Sequence, residues 1–155
     1  MSADERAAIR RASIGYIFQD LNLMPSLTAL ENVSLVRELD GQHPRQAARQ
    51  ARDALDKVGI TELADRLLSH MSGGQQQRVA IARALVGCRR IILGDELTGS
   101  LDSVTSMEVV GLLRDVVTQD AGCAAWADRI ITLRDGQITG SASSHGVESL
   151  LDGLA

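Results

Sequence analysis

His70–Leu85, HMSGGQQQRVAIARAL, sets a hydroxyl residue, two glycines and three glutamines directly ahead of an apolar helical run. Ser72-Gly-Gly-Gln75 has the S-x-x-Q form of a capping box, in which side chain and backbone at the two ends satisfy orphan N–H groups reciprocally. A capped helix needs no more than that. The adjacent glycines, Gly73 and Gly74, cost helix stability and remove side chains from the first turn, which lets another molecule approach the backbone. A helix N-terminus carries positive partial charge and unsatisfied donors, so with the Ser72 hydroxyl it forms an anion site suited to phosphate. The glutamines add neutral hydrogen-bonding groups beside it.

The rest of the composition narrows what that site can serve. The chain has 155 residues, 45% of them hydrophobic, enough for one domain with an ordinary core. Its aromatic residues are Tyr16, Phe18 and Trp126, so the core must be aliphatic and stacking platforms for single-stranded nucleic acid are absent. A net charge of −4 argues further against a nucleic-acid binder. Cys88 and Cys123 stand far apart, and His43, His70 and His145 are scattered, so neither a disulfide framework nor a metal-ligand spacing is signalled. No apolar run approaches the roughly 18 residues that span a bilayer, and SADERAAIRR at the N-terminus lacks an apolar leader region. A soluble, intracellular chain that can dock on a membrane partner is expected.

Along the chain, an Arg-rich helical lead-in is followed by a short strand, SIGYIF at 13–18, ending at Gln19. Thr28-Ala-Leu-Glu31 is a T-x-x-E capping box opening a helix to about Leu39, stopped by Gly41. Pro44 suits the first turn of a second helix, with Ala47, Ala48, Ala51, Leu55 and Val58 at helical spacing and Gly59 at its end. A third, short helix is predicted from Thr61 through Leu68. The helix from Ser72 runs to about Val86, with Gly87 as its stop. Arg90-Ile-Ile-Leu93 then reads as a strand buried on both faces, with Asp95 and Glu96 at its carboxyl end. After LTGSLD comes a helix from Ser103 to Val117, so helix, strand and helix make an α/β layer. RIITLRDGQITG sets Asp135-Gly136 between two β-type runs, a hairpin signal, and Val147 to Leu154 make a final helical turn or fray.

SGGQQQRVAIARAL resembles the signature motif of ATP-binding cassette (ABC) transporter ATPases, and further motifs of that family follow in its order and spacing. Gln19 in IGYIFQDLNLMPSLTALENV resembles the Q-loop glutamine, RRIILGDELTGSLD the Walker B strand and D-loop, and AAWADRIITLRDGQI the strand pair after the H-loop. The wording is closest to the branch serving macrolide export and lipoprotein release, whose permeases are FtsX-like. The resemblance implies an α/β fold, an incomplete P-loop NTPase core with an inserted all-helical subdomain. It divides the chain into a core remnant ending in the Q-loop (1–19), the helical subdomain (20–70), the signature helix, Walker B strand, D-loop helix and hairpin (71–140), and a tail (141–155).

It also implies roles. In the family two subunits pair head to tail, and the signature of one closes over the triphosphate held by the other, so Ser72, Gly73, Gly74 and Gln75 would touch ATP bound by a partner. Asp95 would orient Mg²⁺ through water and Glu96 would polarise the attacking water. Gln19 would sense the γ-phosphate and the metal, and Asp102 would bridge the two sites across the dimer. The implied partners are a second ABC ATPase subunit and an FtsX-like permease, with no nucleic acid. The implied location is cytoplasmic, peripheral on the inner face of the membrane.

Two family features do not occur among these residues. The P-loop pattern G-x-x-x-x-G-K-S/T is absent, and the single lysine, Lys57, lies in ALDKVGI within the helical segment. The family places that loop, and the aromatic residue that stacks on adenine, upstream of the Q-loop, so Met1 is expected to begin inside the catalytic core. Between Val117 and AAWADR the family has a strand and a histidine; here only TQDAGC intervenes. Either Gln119 replaces the histidine, or strand and histidine are deleted together, the reading preferred because after Val117 no apolar run remains that could make that strand ahead of AAWADR. Leu97 also replaces the family's usual proline. A core lacking these strands would expose apolar faces and unpaired edges, so a marginal, aggregation-prone fold is expected. The chain then reads as an ABC-transporter ATP-binding subunit by descent, unable to bind or hydrolyse ATP alone. The rival readings are a non-catalytic partner lending its signature to a complete cassette, and a non-functional gene fragment.

Overall fold

A computed structural model of the chain describes residues 1–87, 89, 91–94, 129–134 and 137–143. The chain divides into two compact units, Met1–Leu113 and Arg114–Ala155, each described by itself.

The first unit opens with α1, Ala3–Ser13, capped by Ser2 and Glu5, with Asp4 and Glu5 in its first turn and Arg10 and Arg11 in its last, the charge order a helix dipole favours. Strand β1, Ile14–Ile17, follows directly. Helix α2, Ala29–Leu39, starts at the expected box: Thr28 Oγ1 accepts from Glu31 N at 3.2 Å, and Glu31 Oε2 accepts from Thr28 N at 2.8 Å. Helix α3, Pro44–Lys57, has Pro44 in its first turn and buries Ala47, Ala51, Ala54 and Leu55 on one face. Gly41, Gly59 and Gly87 all have positive φ, so the three helix stops read from the sequence are left-handed turns.

One element differs. The helix expected from Thr61 through Leu68 is two separate 3₁₀ turns, Thr61–Leu63 and Leu68–His70. The backbone between them is bonded elsewhere: Leu30 N donates to Ala64 O at 2.8 Å and Ala29 N to Arg66 O at 3.0 Å. The orphan amides of α2 thus claim carbonyls that a continuous helix would have used. Thr61 caps nothing; its hydroxyl donates to Asp56 Oδ1 at 3.0 Å.

The Glu31 box carries a pH dependence. Hydrogen bonds from the Thr28 backbone and then its hydroxyl hold the Glu31 carboxyl below its ordinary range. Because the folded value lies below the unfolded one, the contribution is fully present above the ordinary glutamate range of about 4.3 and is lost as pH falls through the folded value. Glu31→Gln is therefore expected to flatten the acid limb of the stability profile. Urea midpoints of both proteins between about pH 6 and pH 2 check this, and parallel acid limbs would contradict it.

Helix α4, Gly73–Leu85, runs as expected and buries Val79, Ala80, Ile81, Ala82 and Ala84. Strand β2, Ile91–Gly94, pairs parallel with β1, Ile14 opposite Ile91 and Ile17 opposite Gly94. Gly15, Ile17 and Ile92 share the face toward α4, while Tyr16, Ile91 and Leu93 share the other. That second face corrects the expectation of a strand buried on both sides, since Ile91 is 50% and Leu93 40% exposed. Among the described residues β2 has one strand neighbour, β1, which carries α4, and only Ile92 of β2 packs against the core. The core is aliphatic, as the composition requires, with Ile17, Val33, Leu55, Val58, Leu68 and Ile81 among its fully buried side chains.

The second unit contains the expected hairpin. Strands β3, Arg129–Arg134, and β4, Gln137–Ser143, pair antiparallel from Arg134 opposite Gln137, with an irregularity at Thr132/Leu133. Asp135 and Gly136, the helix expected from Ser103 to Val117, the segment around Gln119 and the C-terminal turn lie outside the described residues.

Candidate functional site

The first turn of α4 forms the expected box. Ser72 Oγ accepts from Gln75 N at 3.4 Å, and Gln75 Oε1 accepts from Ser72 N at 3.0 Å. A helix start leaves four amides without an intrahelical partner, here those of residues 72 to 75. The box satisfies the outer two and leaves the amides of Gly73 and Gly74. Neither glycine has a positive φ, so the backbone does not require glycine at either position. A Cβ built on Gly73 or Gly74 would meet nothing within 4 Å, so the side-chain-free face opens outward. The residues present therefore fit a phosphate that approaches from outside the chain.

The turn is held firmly from behind. Gln76 Nε2 donates to the carbonyls of Leu68 at 2.9 Å and Met71 at 3.1 Å, and Gln77 is buried. One turn on, Arg78 Nη1 donates to Val58 O at 2.8 Å, tying α4 to the end of α3.

Gln19 follows β1 and is exposed. The two strands run parallel with Ile17 opposite Gly94, so Gln19 leaves the same end of the sheet that β2 reaches at Gly94. The chain then turns sharply: Leu21 has φ 56° and Asn22 φ 46°, both left-handed. For a leucine this conformation costs about 1 kcal/mol or more, so something must hold it. Arg83, near the C-terminal end of α4, reaches across: its Nη2 donates to Leu21 O at 2.7 Å and its Nη1 to Asn22 O. Burial pushes the Arg83 pKa below its ordinary value, and its guanidinium lies 6.0 Å from the Phe18 ring, itself stacked on Tyr16 with centroids 4.6 Å apart. On the other flank the buried Asn32 clamps Met24, its Oδ1 accepting from Met24 N at 2.8 Å and its Nδ2 donating to Met24 O at 3.0 Å and Thr28 O at 2.9 Å.

Arg83 and Asn32 did not stand out in the sequence. The one available signal for Arg83 is a cation between two alanines, Ala82 and Ala84, that are both buried. Asp95, Glu96 and Asp102 lie outside the described residues. Among the described residues no group of three or more His, Cys, Asp and Glu could hold a metal ion, and no helix is long and apolar enough to cross a membrane.

Comparison with known proteins agrees with this architecture. A family model described as ABC transporter matches residues 1–99. The lipoprotein-releasing system ATP-binding protein LolD of Shewanella denitrificans is 38% identical over 151 residues, covering 91% of this chain and 65% of LolD. The macrolide export ATP-binding/permease protein MacB of Rhodopirellula baltica is 40% identical over 146 residues, covering 86% of this chain and 21% of MacB. The chain thus spans less than two thirds of the length of either relative. The dimeric structure of MJ0796, an ABC transporter cassette, superposes with a TM-score of 0.68 at 36% identity, covering 94% of this chain and 69% of that one. The chain therefore belongs to the ABC transporter family, as an ATP-binding (nucleotide-binding) domain related to the LolD and MacB ATPases, with that family's mixed α/β core and helical subdomain.

Proposed function

We propose that these residues supply the signature half of an ATP site whose P-loop belongs to a complete cassette paired head to tail with this chain. The observation that carries the reading is the first turn of α4: two glycine amides left unused by the capping box, with open space where the side chains would stand. No G-x-x-x-x-G-K-S/T stands among the 155 residues, so the phosphate that this turn suits would be held elsewhere. The related cassette MJ0796 is known as a dimer and in a post-hydrolysis state with ADP and Pi, which supports both the pairing and the ligand class.

In this reading residues 1–19, 20–70, 71–140 and 141–155 form the Q-loop remnant, helical subdomain, signature-to-hairpin segment and tail. Ser72, Gly73, Gly74 and Gln75 bind the partner's nucleotide, and Gln19 sits beside phosphate and metal. Asp95 serves Mg²⁺ through water, Glu96 is the residue that polarises water, and Asp102 lies at the pairing surface. Mg²⁺ supplies charge neutralisation on the phosphates when bound. Glu96 would serve a nucleotide on its own P-loop, and no P-loop pattern stands among these 155 residues, so these residues by themselves are proposed not to hydrolyse ATP. The name of the MacB relative, an export ATP-binding/permease protein, supports a permease as the membrane partner and export as the process. The family resemblance adds that the permease is FtsX-like, that ATP drives the export and that the residues sit on the cytoplasmic face of the membrane.

The test mixes the purified chain with a complete LolD-type cassette and Mg-ATP. The chain alone is expected to release no phosphate above a Glu96→Gln control. Added to the cassette, it should form a complex and change the ATPase rate, an effect that Ser72→Arg abolishes. Gly74→Val is the sharper variant, because a Cβ at this position meets nothing within 4 Å, so the substitution is expected to spare the fold while crowding the glycine face. Loss of an amide–phosphate bond is expected to weaken the effect by about tenfold or more. Turnover by the chain alone, or no complex on mixing, would overturn the proposal.

A further inference from the structure

We infer that Arg83 is a positioning residue that makes the Gln19 loop and the phosphate-facing turn of α4 move as one body. The inference rests on the reading of that turn as a nucleotide contact. Both carbonyls that Arg83 grips belong to consecutive residues in left-handed conformation, two and three positions after Gln19. Within the loop Leu21 N donates to Phe18 O at 3.0 Å and Asn22 N to Asp20 O at 2.6 Å. A planar guanidinium presents two donors in fixed geometry, so it fixes the two carbonyls relative to each other as well as to the helix.

The other end of the same rod is Ser72–Gln75. About ten residues of uninterrupted helix, roughly 15 Å, separate the open turn from Arg83. The rod is rigid over that span because Gln76 and Arg78 lock its first half to neighbouring carbonyls and its buried face packs in the core. A ligand that orders or shifts the first turn therefore acts on the Gln19 loop through Arg83. The Asn32 clamp on Met24 sets where the loop ends. Arg83 donates to the carbonyls of Leu21 and Asn22, so its role is exerted through the loop.

The test is amide hydrogen exchange on the full 155-residue chain, alone and with a complete LolD-type cassette plus Mg-ATP. In the chain alone, Arg83→Met should speed exchange at Leu21, Asn22 and Met24 about tenfold or more, while amides in the middle of α3 change little. Arg83→Lys, a point donor that cannot fork across both carbonyls, should fall between the two. Unchanged loop exchange in a folded Arg83→Met protein would overturn the inference. With cassette and nucleotide, the native chain should gain protection both at the Ser72–Gln75 turn and at the loop, and Arg83→Met should keep only the first. Protection of the turn without the loop in the native chain would overturn the coupling while the functional reading stands. Protection at neither place, with the loop still loosened by Arg83→Met, would overturn the functional reading and leave the grip of Arg83 on the loop established.

Discussion

Gly15→Ala is expected to destabilise the first unit by about 3 kcal/mol, at the upper end of what overpacking one methyl group costs. Gly15 lies in β1 on the face against α4, and a Cβ there would overlap the Ala84 carbonyl oxygen and lie 2.8 Å from Ile92 Cδ1. The isoleucine side chain can rotate away. The carbonyl cannot, because it belongs to the backbone of the helix, so strand and helix would have to separate. Against a total stability of about 5–15 kcal/mol, that loss shifts the urea midpoint strongly. Gly73→Ala is the control: with nothing within 4 Å of the added methyl, it should leave stability unchanged or raise it by several tenths of a kcal/mol. Equal midpoints for Gly15→Ala and the native chain would mean that β1 and α4 are not in the contact described.

Features set by neighbours in the chain were legible in the sequence. The boxes at Thr28/Glu31 and Ser72/Gln75, Pro44 in the first turn of α3, and the stops at Gly41, Gly59 and Gly87 each depend on three or four residues, and each is found in place. The hairpin register around Asp135 and Gly136 belongs to the same class. Two features decided at a distance were misread. Helical propensity from Thr61 to Leu68 lost to the amides at the start of α2, more than thirty residues earlier. The apolar run at Ile91–Leu93 gives what a strand can bury, whereas burial depends on what covers it.

The site divides along the same line. Ser72 to Gln75 could be singled out because the capped turn is contiguous, and the open space beside it follows from the glycines themselves. The grip of Arg83 on Leu21 and Asn22 joins positions 62 and 61 residues apart and involves no motif of its own. Nor does the Asn32 clamp, which looks in the sequence like an ordinary polar helix position. Asp95, Glu96 and Asp102 rest on resemblance, being outside the described residues.

The second large effect is expected at Asp40, which neutralises three arginines from three parts of the first unit. Its carboxylate lies 2.7 Å from Arg11 Nε at the end of α1, 2.9 Å from Arg37 Nη1 in α2 and 3.7 Å from Arg89 Nη2 just before β2. Arg89 dominates the energetics, because its side chain is only 2% exposed and also donates to Ile14 O at 3.4 Å. Burial lowers the Arg89 pKa, Asp40 raises it, and Arg37 and Arg11 lower it again. Removing Asp40 therefore leaves a buried cation facing two others, and Asp40→Ala should cost about 3–5 kcal/mol. An apolar replacement of the pair should behave differently: Asp40→Leu with Arg89→Met is expected to recover most of the loss, since neither member then remains as an unpaired buried charge. The exposed Arg52–Asp65 pair, 3.3 Å apart, gives the contrast, and Arg52→Ala should change stability by less than about 1 kcal/mol. Urea unfolding of the four proteins at low and high salt separates the cases, because screening weakens the exposed pair and largely spares the buried one. A loss at Asp40 no larger than that at Arg52 would mean that the three arginines do not depend on this carboxylate, and that packing of α4 on β1 and of α2 on α4 holds the helical segment to the sheet by itself.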